Sequence, residues 1–196
     1  MRSAILFLFA CAALAAFSNF AQAQKVDIAF GVSTLEAPAA NSTGPSLKGG
    51  AYTGFSGDVL FWHNFGIGAE IDWKASQSSV VSGSGVVPYR PVFFDFNGVY
   101  SPKLARHAYL DLEAGIGVID TRIYCGQQCY DPYTNTDYTS DKHFMGDFGA
   151  GLKIYPKGGF FIRPEARFYL VANNQLYSSS YATRVGASIG YTFGHH

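Results

Sequence analysis

The chain has 196 residues, 48% hydrophobic and 16% aromatic, with 22 glycines and only 14% charged residues. Ordinary domains carry roughly 25% charged residues, and disordered chains are poor in apolar ones, so disorder is excluded and the length fits one domain. Fourteen basic residues balance fourteen acidic ones with no Lys/Arg cluster, which removes the electrostatic footprint of a nucleic-acid binder.

Residues 1–23 read as a separate segment. Arg2 precedes an apolar run over residues 4–17, followed by polar Ser18 and Asn19 and then Ala21-Gln22-Ala23. The run is shorter than the ~20 residues a membrane-spanning helix needs. An Ala-x-Ala site predicts a secretory signal peptide cleaved before Gln24. Cys11 is discarded with it, because bulky Phe9 stands where a lipoprotein signal needs a small residue. The remaining chain, 24–196, keeps thirteen basic and fourteen acidic residues, a net charge of −1, and two cysteines, Cys125 and Cys129.

No later stretch is apolar for long enough to cross a bilayer as a helix. What recurs is alternation with period two, the signature of strands with two unlike faces. Val26, Ile28, Phe30 and Val32 alternate with Asp27, Ala29, Gly31 and Ser33. The pattern returns around Phe55 to Phe61 against Ser56 and Asp58, and from Phe65 to Trp73 against Glu70, Asp72 and Lys74. It continues through Val92, Phe94 and Phe96 against Asp95, and through Leu110 to Val118 against Asp111 and Glu113. Three more strands follow: Phe144 to Ile154 against Asp147 and Lys153, Phe160 to Leu170 against Arg163, Glu165 and Arg167, and Thr183 to Phe193 against Arg184. Eight strands are expected.

Their connections alternate long and short: residues 36–50, 63–64, 77–88, 102–107, 125–142, 156–159 and 171–179. An even strand count with alternating tight turns and long loops is the pattern of a transmembrane barrel, with the short turns and both termini on the periplasmic side. Period alone does not say which face meets lipid, since a soluble ligand-binding barrel turns its apolar face inward. Aromatic residues decide for the membrane. Phe61, Trp62, Phe65, Tyr100, Tyr109, Tyr155, Phe160, Tyr191 and Phe193 lie near the short turns, and Tyr52, Phe55, Trp73, Tyr89, Tyr124, Tyr169 and Tyr181 near the long loops. Two such belts are expected at the two membrane interfaces.

The chain at this point resembles bacterial outer-membrane β-barrel proteins, in particular the small eight-stranded class that includes the transmembrane domain of outer membrane protein A. The resemblance spans residues 24–196 as a pattern. Its most specific local element is Ala187-Ser188-Ile189-Gly190-Tyr191-Thr192-Phe193, which looks like the closing-strand signal read by the barrel assembly machinery, although Gly194, His195 and His196 follow the terminal aromatic. It implies an all-β, eight-stranded antiparallel up-and-down transmembrane barrel in a Gram-negative-type outer membrane, in contact with outer-membrane lipid.

The polar face supplies the main candidate site. Asp58, Glu70, Asp72, Lys74, Asp95, Asp111, Glu113, Asp147, Lys153, Arg163, Glu165, Arg167 and Arg184 all point into a lumen just wide enough for side chains. Charges confined there must pair. A salt-bridged plug is expected, with Arg163, Arg167 and Arg184 on the last two strands at its centre. The excess of acids keeps a narrow cation channel as the alternative. Cys125 and Cys129 are expected to form a disulfide in the oxidising compartment. A second Cys/His pair at metal-binding spacing is missing, so no metal site is read, nor any cofactor site.

A lipid-modifying enzyme would need a serine activated by a histidine. Ser140, Asp141 and His143 lie close in sequence but fall at a long loop, with neighbours facing opposite ways, so no catalytic residues are assigned. His63 and His107 read as interfacial polar residues. The loop carrying Tyr130, Asp131, Tyr133, Asp137 and Tyr138 is the candidate surface for an extracellular ligand. Residues 76–87, rich in Ser and Gly, are expected to form a flexible loop. The function expected is that of a membrane-embedded scaffold presenting loops outside the cell.

Overall fold

The computed structural model describes residues 25–37, 46–82, 85–125, 136–172 and 180–194. The segment read as a signal peptide, Cys129 and the terminal histidines lie outside the described residues. The described residues form ten strands: β1 (Lys25–Glu36), β2 (Ala51–Trp62), β3 (Phe65–Lys74), β4 (Ser78–Ser82), β5 (Gly85–Tyr100), β6 (Lys103–Ala105), β7 (Ala108–Tyr124), β8 (Tyr138–Lys157), β9 (Phe160–Val171) and β10 (Tyr181–Phe193). Eight of them form the barrel wall in the order β1, β2, β3, β5, β7, β8, β9, β10, each antiparallel to its neighbours. The wall closes where β10 pairs β1, in an unbroken register from Val26 opposite Phe193 to Glu36 opposite Thr183. Closure leaves no open edge, the condition for β-structure in lipid.

The turns obey their sequences. His63 and Asn64 both take positive φ, 45° and 69°, the two-residue geometry that joins strands without splaying them. Between β8 and β9, Gly158 takes φ 58°. The third short connection is itself a hairpin, in which β6 folds onto the start of β7 around Arg106 and His107.

The faces sort as the alternation requires, with the apolar side outward. Phe96 is 72% exposed and Ile189 63%, whereas Arg163 is 1% exposed. Exposed aliphatic and aromatic residues around a buried charged interior are the inverse of a soluble barrel and the arrangement a bilayer selects.

Four expectations are corrected. Three strands run well past the alternating segments read from sequence: β5, β7 and β8 have 16, 17 and 20 residues. The supposed flexible loop at 76–87 contains β4, which pairs with the outer end of β5 from Ser78 opposite Tyr89 to Ser82 opposite Gly85. Ser140, Asp141 and His143 are part of β8 and not of a loop. The aromatic belts are thinner than expected, because Tyr52, Tyr89, Tyr155 and Tyr169 are buried, Tyr109 packs against the same inner cluster, and none of the five faces lipid. Tyr52, for example, shares its parity with the inward Asp58, so its strand position sends it into the lumen.

Candidate functional site

The lumen is filled in three layers. At its outer end Leu35, Tyr52, Phe93, Ile119, Met145 and Tyr169 meet in a buried apolar cluster. Leu47 joins them from the first long connection, held there because the Tyr52 hydroxyl donates to the Leu47 carbonyl at 2.8 Å. The same segment is tied down at Ser46, whose backbone NH donates to the Tyr89 hydroxyl at 2.8 Å, and at Gly49, whose NH donates to the Leu35 carbonyl at 2.7 Å. At the other end Ala29, Tyr155 and Phe161 form a second buried cluster with Tyr109 against it. Tyr155 and Thr192 share a hydroxyl hydrogen bond of 2.8 Å across that floor.

Between the caps lies the ionised layer, built on four cations. Lys153 Nζ stands 2.5 Å from Asp27, 2.7 Å from Asp111 and 3.4 Å from Asp58. Arg163 approaches Glu165 at 2.7 Å, Glu113 at 3.2 Å, Asp111 at 3.3 Å and Asp58 at 3.5 Å, and also donates to Ser56 and Ser188. Arg167 pairs with Glu70 at 2.5 Å, Asp147 at 3.2 Å and Asp95 at 3.5 Å, and with Glu113. Arg184 pairs with Asp72 and Glu70, and with Glu165 at 3.4 Å.

Shared acids join these sets into one network. Asp58 and Asp111 link Lys153 to Arg163, Glu113 links Arg163 to Arg167, Glu70 links Arg167 to Arg184, and Glu165 links Arg184 back to Arg163. Glycines make the room. A Cβ on Gly149 or Gly151 would lie 3.0 Å from the Cγ of Arg167 or Arg163, so the arginine stems lie across bare backbone of β8.

Of the thirteen lumen residues expected from sequence, twelve meet in this network. Lys74 does not. It is buried at the outer rim, its ammonium 5.9 Å from the centre of the Tyr52 ring, and makes no ion pair among the described residues. Asp27 joins the network without having been expected there, although it alternates with Val26 and Ile28 as Asp58 does with Val59; its inward parity is the signal that could have found it. With Asp27 included, nine carboxylates face four cations. Asp58, Asp111 and Glu113 offer oxygens within 4.8 Å of one another, a spacing able to hold a cation. Lys153 and Arg163 already stand there.

Of the three residues weighed for nucleophilic catalysis, the structure brings two together and turns the serine away. His143 Nε2 lies 3.5 Å from Asp141, both on the inner face of β8. Ser140 faces the other way and donates its hydroxyl to Asp120 on β7. Cys125, at the end of β7, donates its backbone NH to the Asp137 carbonyl at 3.2 Å; its expected disulfide partner lies outside the described residues.

No protein-family model and no curated protein sequence matches the chain. Solved structures do. Neisserial surface protein A is similar with a TM-score of 0.61 at 7% identity, over 87% of this chain and 97% of that one. The N-terminal β-barrel domain of Pseudomonas aeruginosa OprF has a TM-score of 0.58 at 13% identity, over 88% and 98%. The attachment invasion locus protein Ail of Yersinia pestis, crystallised with the heparin analogue sucrose octasulfate, has a TM-score of 0.55 at 11% identity, over 88% and 99%. The chain thus has the fold of the eight-stranded outer-membrane barrels.

Proposed function

We propose that this protein is an outer-membrane scaffold whose lumen is plugged and whose long loops meet an extracellular ligand. The observation that carries the reading is the three-layer filling of the lumen. A continuous ion network lies between two buried apolar caps, the outer one completed by Leu47 from a loop segment. Solute passage would require parting buried ion pairs, and a buried charge left without its partner costs about 3–5 kcal/mol.

In this reading residues 1–23 are removed on export by cleavage before Gln24, the barrel assembly machinery inserts residues 24–196, and outer-membrane lipid covers the apolar face. A Cys125–Cys129 disulfide closes the base of the third long loop, and no residue carries catalysis. Planar-bilayer recording tests the plug: the purified protein should insert without discrete current steps. Stable cation-selective steps in the unmodified protein would replace this reading with a channel, which the surplus of nine carboxylates over four cations favours as the second possibility. Intact mass before and after reduction tests the loop, with a gain of two hydrogens expected and freely alkylated thiols overturning the disulfide.

A further inference from the structure

Among the described residues, three adjacent strands each carry a base on the outward face near the long-loop end. Phe94, Val118 and Phe144 lie side by side on β5, β7 and β8. One step toward the long-loop end the row reads Val92, Asp120, Lys142, and the next reads Arg90, Arg122, Ser140. Arg90 and Arg122 are thus direct cross-strand neighbours, a like-charge pairing that costs stability on a sheet face. One acid stands among the three bases, and it is engaged: Asp120 accepts from Ser140 and lies 3.5 Å from Arg122 Nε. Arg90 makes no ion pair among the described residues, and its buried Nε lacks a hydrogen-bond partner there. The Arg122 guanidinium lies 5.1 Å from the centre of the Tyr138 ring, which fixes its plane beside the pair.

The height of this patch follows from strand geometry. Outward residues of β7 are apolar from Leu110 to Val118, a span of roughly 20 Å at the usual rise and tilt. Arg122 lies four residues further, about 10 Å higher, where hydrocarbon has given way to headgroups. Two guanidinium forks and an ammonium on three neighbouring strands offer the donors that phosphate oxygens take. Directly below, Phe94, Phe96, Ile116, Phe144 and Phe148 offer an apolar bed for acyl chains, each of them outward on the same three strands.

We propose that Arg90, Arg122 and Lys142 bind the phosphate group of an outer-leaflet amphiphile, an acylated sugar phosphate whose chains descend over the phenylalanines. The proposal rests on the reading above that the long-loop end faces the cell exterior. The folded protein in detergent is titrated with bisphosphorylated lipid A, the same lipid dephosphorylated, phosphatidylglycerol and inorganic phosphate, with retained ligand read by native mass spectrometry. Lipid A should bind at least about tenfold more tightly than its dephosphorylated form. Joint Arg90→Gln and Arg122→Gln substitution should remove that difference and Lys142→Gln should reduce it. Lys48→Gln, at an exposed ion pair with Glu36 elsewhere on the rim, should leave it unchanged.

Equal binding of the two lipid A forms overturns the proposal without any variant. So does a heat-shifting Arg90/Arg122 double variant that binds as the parent does. Inorganic phosphate competing at the affinity of lipid A would make this a soluble-anion site, and phosphatidylglycerol binding as well as lipid A would make it an unspecific basic rim or place it in the inner leaflet. Either result defeats the assignment while leaving the plugged barrel intact. Should the double glutamine variant fail to fold, Arg90→Lys with Arg122→Lys keeps charge but loses the fork, and should bind lipid A with intermediate affinity.

Discussion

Arg167 holds the middle of the lumen, with Glu70, Asp95, Glu113 and Asp147 around one guanidinium. Arg167→Ala leaves four carboxylates facing one another, and removing one partner of a buried ionic cluster costs about 3–5 kcal/mol. Urea unfolding from lipid vesicles, followed by tryptophan fluorescence, should show that loss. The sign should reverse for an acid. Asp147 contributes one charge to a surplus, and its Oδ2 lacks a hydrogen-bond partner, so Asp147→Asn should be neutral or stabilising. If both variants lose stability equally, the network is not organised around its cations. Lys74→Gln is the comparison, expected to cost less than Arg167→Ala because its ammonium joins no ion pair among the described residues. The parity rule makes most of these residues legible in the sequence itself, since an acid between two large apolar residues has only one way to face. Lys74 shows where the rule stops: it gives the face of a residue but not its depth, and at the rim an inward lysine clears the network and lies against Tyr52.

Depth also explains the departures from expectation at the scale of strands. Sequence position puts Tyr52, Tyr155 and Tyr169 near strand ends, where aromatics usually meet headgroups, but inward parity makes them the lids of the lumen. The outer extensions of β5, β7 and β8 are hidden from the sequence for a different reason. Beyond the membrane both faces are polar or mixed, so the alternation fades while backbone pairing continues, as from Asp120 opposite Lys142 to Tyr124 opposite Tyr138. By contrast β10 is legible almost to its last residue, because its outward Val185, Ile189, Tyr191 and Phe193 alternate with small or polar residues. That strand closes the barrel on β1, and Phe193 lies outward, 52% exposed, beside Tyr191 with ring centres 4.8 Å apart. Phe193→Ala should therefore lower the amount of protein assembled in the outer membrane, while folded protein loses no more than the about 1.5–3 kcal/mol of moving one ring from water into lipid. Cell fractionation measures the first and urea unfolding of the folded protein the second. A fall in stability with unchanged assembly would mean the ring serves packing and not recognition.

For the whole molecule, solvent decides the fold. Its outer surface shows Ile28, Phe55, Ile67, Phe96, Phe148 and Ile189 more than half exposed, a continuous apolar face that water would drive to aggregate and that lipid leaves at rest. Charge occupies the inside because pairing is possible there and bilayer hydrocarbon offers none. Folding should consequently require an amphiphile. Diluted from urea into detergent micelles, the protein should run on an unheated gel at a mobility distinct from that of the boiled sample, since closure of β10 on β1 resists dodecyl sulfate until heat opens it. Diluted into plain buffer, it should give only the boiled mobility and precipitate. Arg167→Ala should keep the detergent requirement but shift the heating midpoint downward, because the variant weakens the interior and leaves the lipid-facing surface as it was. A folded, soluble species in plain buffer would mean that the exposed residues meet protein instead of lipid. Such a result would require a second barrel or a partner of about equal apolar area, and would place the chain outside the membrane altogether.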